Sequence, residues 1–174
     1  ELTGRTIADI VNASEHPNTV ENGATSSQTV PGVKTLQLHV RTELTVARMQ
    51  AICRDAGIDL LVLKGPHLAY TVWPVPTERV WCDLDILARP DQFDAAIEAL
   101  TRQDFKQPPF DRRHRASAPC YHNIALQGPY GIHIELHRDL TPHGRYPVSI
   151  EDLFCRAETF WFLETEARGL APAD

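Results

Sequence analysis

Val80-Trp81-Cys82-Asp83-Leu84-Asp85-Ile86-Leu87 is an apolar, β-branched and aromatic run broken by two acids two positions apart. Such composition reads as a strand. Side chains alternate across a strand, so Asp83 and Asp85 are expected on one face, their Cα atoms ~6.6 Å apart at about 3.3 Å per residue. Two carboxylates held that close, mid-strand among apolar neighbours, repel unless a cation lies between them. A divalent cation such as Mg²⁺ takes oxygen ligands of this kind and is often shared with phosphates.

Outward from this strand the chain alternates helical and extended patterns. Upstream, residues 34–56 repeat Leu36, Val40, Leu44, Ala47 and Ile52 at three- and four-residue steps, a helix stopped by Gly57. Ile58–Leu63 is a short, nearly continuous apolar run, expected as a strand covered on both faces. Lys64-Gly65-Pro66 ends it, and Pro66 begins a helix running to about Trp73. Downstream, Pro90 and Asp91 open a helix carrying Phe93, Ala96, Ile97 and Leu100. Residues 106–119 form a polar connection, and residues 120–137 read as a hairpin turning at Gly128–Gly131. A helix over Ser149–Ala157 follows, and Phe160–Leu163 can add a strand. The order α-β-α-β-α-β-β-α predicts an α/β (α+β) fold, a mixed sheet flanked by helices. Residues 1–33 stand apart: Thr3–Ala13 can form a short helix and Ser14–Gly32 reads as a loop or mobile arm. The expected division is therefore an arm over 1–33 and a domain over 34–174.

Bulk properties narrow the function classes. The 174 residues are 43% hydrophobic and 23% charged, an ordinary globular balance for one domain. No apolar run reaches the roughly 18 residues of a membrane span, and the first thirty residues lack a signal-peptide pattern. The net charge of −6 argues against non-specific nucleic-acid binding and suits a site that concentrates cations. Cys53, Cys82, Cys120 and Cys155 lack paired zinc-site spacing; two disulfides are arithmetically allowed, but buried reduced thiols in a cytoplasmic protein are the expectation.

A second polar pattern sits in Ile132-His133-Ile134-Glu135-Leu136-His137. Alternation points His133, Glu135 and His137 one way and the aliphatic residues into the core. Beside Val80–Leu87, Glu135 becomes a third carboxylate, and three acids can hold two cations that clamp a phosphoryl displacement. Taken singly, a D-x-D pair is common and an alternating hairpin face is usually just solvated. Lys64-Gly65 lies at a strand-to-helix junction, where glycine admits close approach, helix N–H groups face an anion and Lys adds a point charge.

Together, Val62-Leu63-Lys64-Gly65-Pro66, Arg79, Asp83-Leu84-Asp85-Ile86-Leu87, His122 and Ile134-Glu135-Leu136-His137 resemble a bacterial family of uncharacterised nucleotidyltransferases, within the DNA-polymerase-β-like superfamily. The resemblance spans about residues 36–174. It implies that Asp83 and Asp85 bind Mg²⁺ or Mn²⁺, and that Glu135 is the third carboxylate, also a metal ligand, which helps activate an acceptor hydroxyl. It implies that Lys64-Gly65 stands where the superfamily has Gly-Ser against a nucleoside triphosphate. Arg79, His122 and His137 are further candidates to line that nucleotide site, although Arg79 can equally anchor its strand. Leu170–Asp174 resembles the step after which relatives continue into a helical region, so that region is expected to be missing. The implied reaction moves a nucleoside monophosphate group from a triphosphate, for example ATP, to an acceptor hydroxyl and releases pyrophosphate. The acceptor can be a small molecule, a peptide or protein, or an RNA end. Two alternatives stay open: a degenerate binding or regulatory module on the same fold, and a metal-dependent phosphoester hydrolase using His133 and His137 as ligands. Arg112-Arg113-His114-Arg115 reads as a solvated loop or an acceptor contact, and Trp73, Trp81 and Trp161 as core or partner-helix contacts.

Overall fold

The computed structural model of the chain describes residues 32–108, 122–141 and 146–172. The expected helix Thr3–Ala13, nearly all of the arm that follows it, the Arg112–Arg115 cluster and Cys120 lie outside the described residues.

The elements are α1 (Val33–Asp55), β1 (Leu60–Val62), α2 (Lys64–Thr71), a 3₁₀ turn (Pro76–Glu78), β2 (Leu84–Ala88), α3 (Phe93–Thr101), β3 (Asn123–Gln127), β4 (His133–His137), α4 (Ile150–Arg156), β5 (Glu158–Phe162) and β6 (Thr165–Gly169). The six strands form one mixed sheet in the order β3-β4-β2-β1-β6-β5. β1 runs antiparallel to β2 and parallel to β6, whereas β2 and β4 are parallel. The expected order α-β-α-β-α-β-β-α is present, followed by the β5–β6 hairpin.

The sheet separates two apolar clusters. Leu60, Val62, Leu84, Ile86, Ala88, Ile134 and Leu136 face Met49 of α1, Ala69 of α2 and Phe93, Ala96 and Leu100 of α3. The alternate residues Leu61, Leu63 and Leu87 face Ile150, Leu153 and Phe154 of α4. Asp85 shares the α4 face, being two residues from Leu87 on the same strand. The large core thus braces the sheet from behind, and the short α4 leaves part of the opposite face for polar residues. Ser149 caps α4 by accepting the Asp152 amide, which sets where that helix begins.

Three expectations need correction. First, β2 begins at Leu84, so Asp83 lies on the bend before the strand and not within it. β1 ends where Leu63 N–H donates to Asp85 O at 2.9 Å; Lys64 then turns the chain into α2, so no strand remains on that side to pair with Asp83. Second, α1 turns a different face inward. His39, Thr42, Glu43, Thr45, Val46, Met49 and Cys53 are buried, while Leu44 is 38% exposed. Polar residues are tolerated there because they are bonded: Thr42 and Thr45 donate to the Leu38 and Arg41 carbonyls, and His39 Nδ1 meets Tyr70 Oη at 2.8 Å. Glu43 accepts from the Glu164 amide and the Thr165 hydroxyl, pinning the β5–β6 turn to α1. Third, Cys82 and Cys155 are exposed free thiols and only Cys53 is buried among the described cysteines. Burial pushes the Cys53 thiol up to about 11. Trp81 is core, but Trp161 is 62% exposed on the edge strand β5 and Trp73 lies under Arg79.

Candidate metal centre

The parallel register of β2 and β4 places Asp85 directly beside Glu135 and Leu87 beside His137. Neighbouring strands run about 4.8 Å apart, so carboxylates on such a pair meet over the sheet. β3 completes the ladder, with Asn123 opposite His137. Asp85, Glu135 and His137 each offer one ligand atom, and these atoms lie within 4.8 Å of one another. His137 Nε2 is 2.9 Å from Asp85 Oδ1 and 3.5 Å from Glu135 Oε2. Asn123 Nδ2 donates to Glu135 Oε2 at 2.9 Å and fixes that carboxylate from the adjacent strand.

A fourth group reaches the same oxygen. Lys64 Nζ donates to Asp85 Oδ1 at 2.5 Å. The Asp85 side chain is 3% exposed and that of Lys64 is 61% exposed. Burial alone raises the Asp85 carboxyl, but the hydrogen bonds from His137 and Lys64 and their charges outweigh it and hold the group below its ordinary value. Asp85 is therefore an ionised carboxylate inside the sheet. His137 is equally buried, and its Nδ1 has no partner among the described residues.

Local sequence explains the Lys64 position. Lys64 has φ +48, a left-handed conformation uncommon outside glycine, which turns the chain sharply from β1 into α2. α2 has no side-chain cap, so its first N–H groups remain free to meet an anion. Gly65 has a packing reason to be glycine beyond ligand access: a Cβ there would lie 2.7 Å from Trp81 Cβ. Trp81 is held in turn by its Nε1 donating to Thr42 Oγ1 at 3.2 Å and by the His39 ring at 4.4 Å. Arg79 donates to Gly65 O at 3.3 Å and stacks on Trp73 at 4.6 Å, so it anchors the start of α2.

Of the sequence candidates, the fold gathers Asp85, Glu135, His137 and Lys64, with the His122 ring 5.9 Å from that of His137. Asp83 is half-buried on the preceding bend and outside the group. His133 is exposed at the far end of β4, two positions from Glu135. Asn123 was not among the sequence candidates; pairing the 120–137 hairpin residue by residue sets it opposite His137, from where its amide reaches diagonally to Glu135. Cavities of about 360 and 410 Å³ lie elsewhere, one lined by residues including Gln50, Arg54, Asp59 and Arg168 and the other by residues of α1 and the end of α3, including Arg48, Ile52, Ala99 and Arg102.

This geometry can be set beside known proteins. A family model described as "Uncharacterised nucleotidyltransferase" matches residues 33–174. The chain belongs to this family. No curated protein and no solved structure matches it. For a member of a nucleotidyltransferase family, a sheet-borne Asp-Glu-His group able to hold a metal is the feature of chemical interest. No described helix is long and apolar enough to cross a membrane.

Proposed function

We propose that residues 34–174 form a cytoplasmic, divalent-cation-dependent nucleotidyltransferase. It moves a nucleoside monophosphate group from a nucleoside triphosphate to an acceptor hydroxyl, and pyrophosphate leaves. The observation that carries this reading is the β2–β4 register, which sets Asp85 beside Glu135 with His137 on the same carboxylates.

The donor set fits a divalent cation: two carboxylate oxygens and one imidazole nitrogen, mutually within 4.8 Å. Oxygen ligands suit Mg²⁺, and the imidazole extends the fit to Mn²⁺. Asp85, Glu135 and His137 would hold the ion, with Asp83, on the bend before β2, as a third acid two residues from Asp85. Bound there, a cation neutralises phosphate charge and lowers the pKa of an acceptor hydroxyl. Glu135, oriented by Asn123 and 32% exposed, is placed to take the proton of that hydroxyl. Lys64 and the uncapped start of α2, including the Gly65 amide, would receive the triphosphate, with Arg79 and His122 nearby. The work is positioning and charge neutralisation. The net charge of −6 favours a nucleotide and a discrete acceptor over non-specific nucleic-acid binding.

One observation favours the degenerate-module alternative: Lys64 already neutralises Asp85. The test is release of pyrophosphate from each nucleoside triphosphate with Mg²⁺ or Mn²⁺, water serving as acceptor of last resort, in the chain and in Asp85→Asn. Metal-dependent pyrophosphate release that the variant lacks supports the transferase. Nucleotide binding without turnover identifies the module, and metal-dependent cleavage of a phosphoester with no triphosphate present identifies a hydrolase.

A further inference from the structure

We propose that Lys64 is an exchangeable counter-ion: its ammonium group holds Asp85 when no cation is bound, and moves to the triphosphate when a cation takes the carboxylate. The inference rests on the metal-centre reading above and adds a step that orders the binding of its two ligands.

The two ends of the Lys64–Asp85 pair differ. Asp85 is fixed, 3% exposed, mid-strand between β1 and β4, and bonded also to His137. A carboxylate in that position requires a positive or hydrogen-bonding partner at all times. Lys64 is 61% exposed, so its ammonium is solvated along one side and its long side chain can swing without opening the core. Both donors of Asp85 converge on Oδ1. A divalent cation on Oδ1 would sit within a few ångströms of the ammonium, and like charges that close repel. Metal binding at Asp85 therefore expels Lys64.

The backbone restricts where the ammonium goes. Lys64 is the first residue of α2, whose start has no side-chain cap, and Leu63 N–H ties that start to Asp85 O. A polyanion bound to a cation on Asp85 lies beside the same helix start. The displaced ammonium then meets its phosphate oxygens as a point charge. The left-handed backbone at Lys64 sets its side chain at the junction of β1 and α2, where its ammonium reaches Asp85. Metal without nucleotide leaves the ammonium without a partner, and nucleotide without metal leaves it competing with Asp85. Each ligand therefore strengthens the other through Lys64, a reciprocal coupling.

The test uses the full chain. Mn²⁺ binding is followed by electron paramagnetic resonance in the wild type and in Lys64→Met, alone and with a triphosphate analogue that cannot be cleaved between the α- and β-phosphates. Without nucleotide, Lys64→Met should bind Mn²⁺ about tenfold more tightly, the worth of one hydrogen bond to a charged group. The analogue should tighten Mn²⁺ binding in the wild type and do so less in Lys64→Met. Equal or weaker Mn²⁺ binding by Lys64→Met, with the wild type binding, overturns the exchange and leaves the metal centre standing. No Mn²⁺ binding by either protein removes the metal centre and the exchange with it. Should Lys64→Met fail to fold, the side-chain amines of the wild type decide. The lysines are Lys34, Lys64 and Lys106, so three amine signals suffice. Mg²⁺ should move the Lys64 signal and the analogue should move it again; a Lys64 signal unmoved by saturating Mg²⁺ overturns the proposal.

Discussion

Replacing Asp85 by Asn keeps the side-chain shape and removes the charge from the centre of the sheet. Asp85 Oδ1 accepts from Lys64 Nζ at 2.5 Å and from His137 Nε2 at 2.9 Å. Hydrogen bonds to a charged group contribute about 1.5–3 kcal/mol each, so the variant forgoes about 3–6 kcal/mol, less what the amide oxygen still accepts. Against this, a buried carboxylate carries a desolvation penalty of several kcal/mol, which Asn does not. The two nearly cancel, and Asp85→Asn should unfold within about 2 kcal/mol of the wild type at neutral pH, a Tm shift of roughly 4–8 °C at most. The pH profile separates the terms. The folded carboxyl titrates below its unfolded value of about 3.9, so its contribution is complete above that pH and is lost as pH falls through the folded value. Urea unfolding from pH 3 to 8 should show a constant difference between the proteins above about pH 5, and a wild type that weakens relative to the variant below it. Mn²⁺ affinity should meanwhile drop by about a hundredfold or more, because a ligand is removed outright. A loss above about 4 kcal/mol at neutral pH would make Asp85 a structural ion-pair residue. Undiminished Mn²⁺ binding would place the metal elsewhere.

Other consequences follow from single contacts. Gly65→Ala drives a methyl group onto Trp81 and should destabilise by about 1–3 kcal/mol in urea; unchanged stability would show that the packing at the start of α2 is loose. Asn123→Ala frees Glu135 Oε2 of its strand-borne donor and should lower metal-dependent pyrophosphate release about tenfold with little effect on stability; a wild-type rate would show that Glu135 needs no positioning. Iodoacetamide at pH 8 should label Cys82 and Cys155 while sparing Cys53, which burial holds at about 11 until the chain unfolds; early labelling of Cys53 on peptide mapping would contradict the packing of α1.

The apolar runs were legible in the sequence because each obeys a single period: the residues around Leu61, Ile86 and Ile134 all fall in strands, and residues 93–101 in a helix. β6 was not, since Thr165-Glu166-Ala167-Arg168-Gly169 holds one apolar side chain facing the core and is ordered by pairing with β5. The inward face of α1 was misread because its buried positions include His39, Thr42 and Glu43, whose hydrogen bonds are tertiary or run back along the helix. The acids show the same division. Alternation within Ile132–His137 put Glu135 and His137 on one face, and Glu135 was expected to join Asp83 and Asp85 if the two strands were neighbours. The parallel β2–β4 register makes them neighbours and sets Glu135, fifty residues on, beside Asp85, while Asp83 stays on the bend. Cross-strand register depends on how the whole sheet packs, which no local pattern carries. The Lys64–Asp85 bond, across 21 residues and a left-handed turn, belongs to the same class.

The central claim is that Asp85 and Glu135 jointly hold the cation through which a nucleoside triphosphate binds. Calorimetric titration of each nucleoside triphosphate, with and without Mn²⁺, into the wild type and into Asp85→Asn/Glu135→Gln tests it most directly. Binding should require Mn²⁺ in the wild type and vanish in the double variant. Binding of equal strength in both proteins, or binding indifferent to Mn²⁺, would contradict the account.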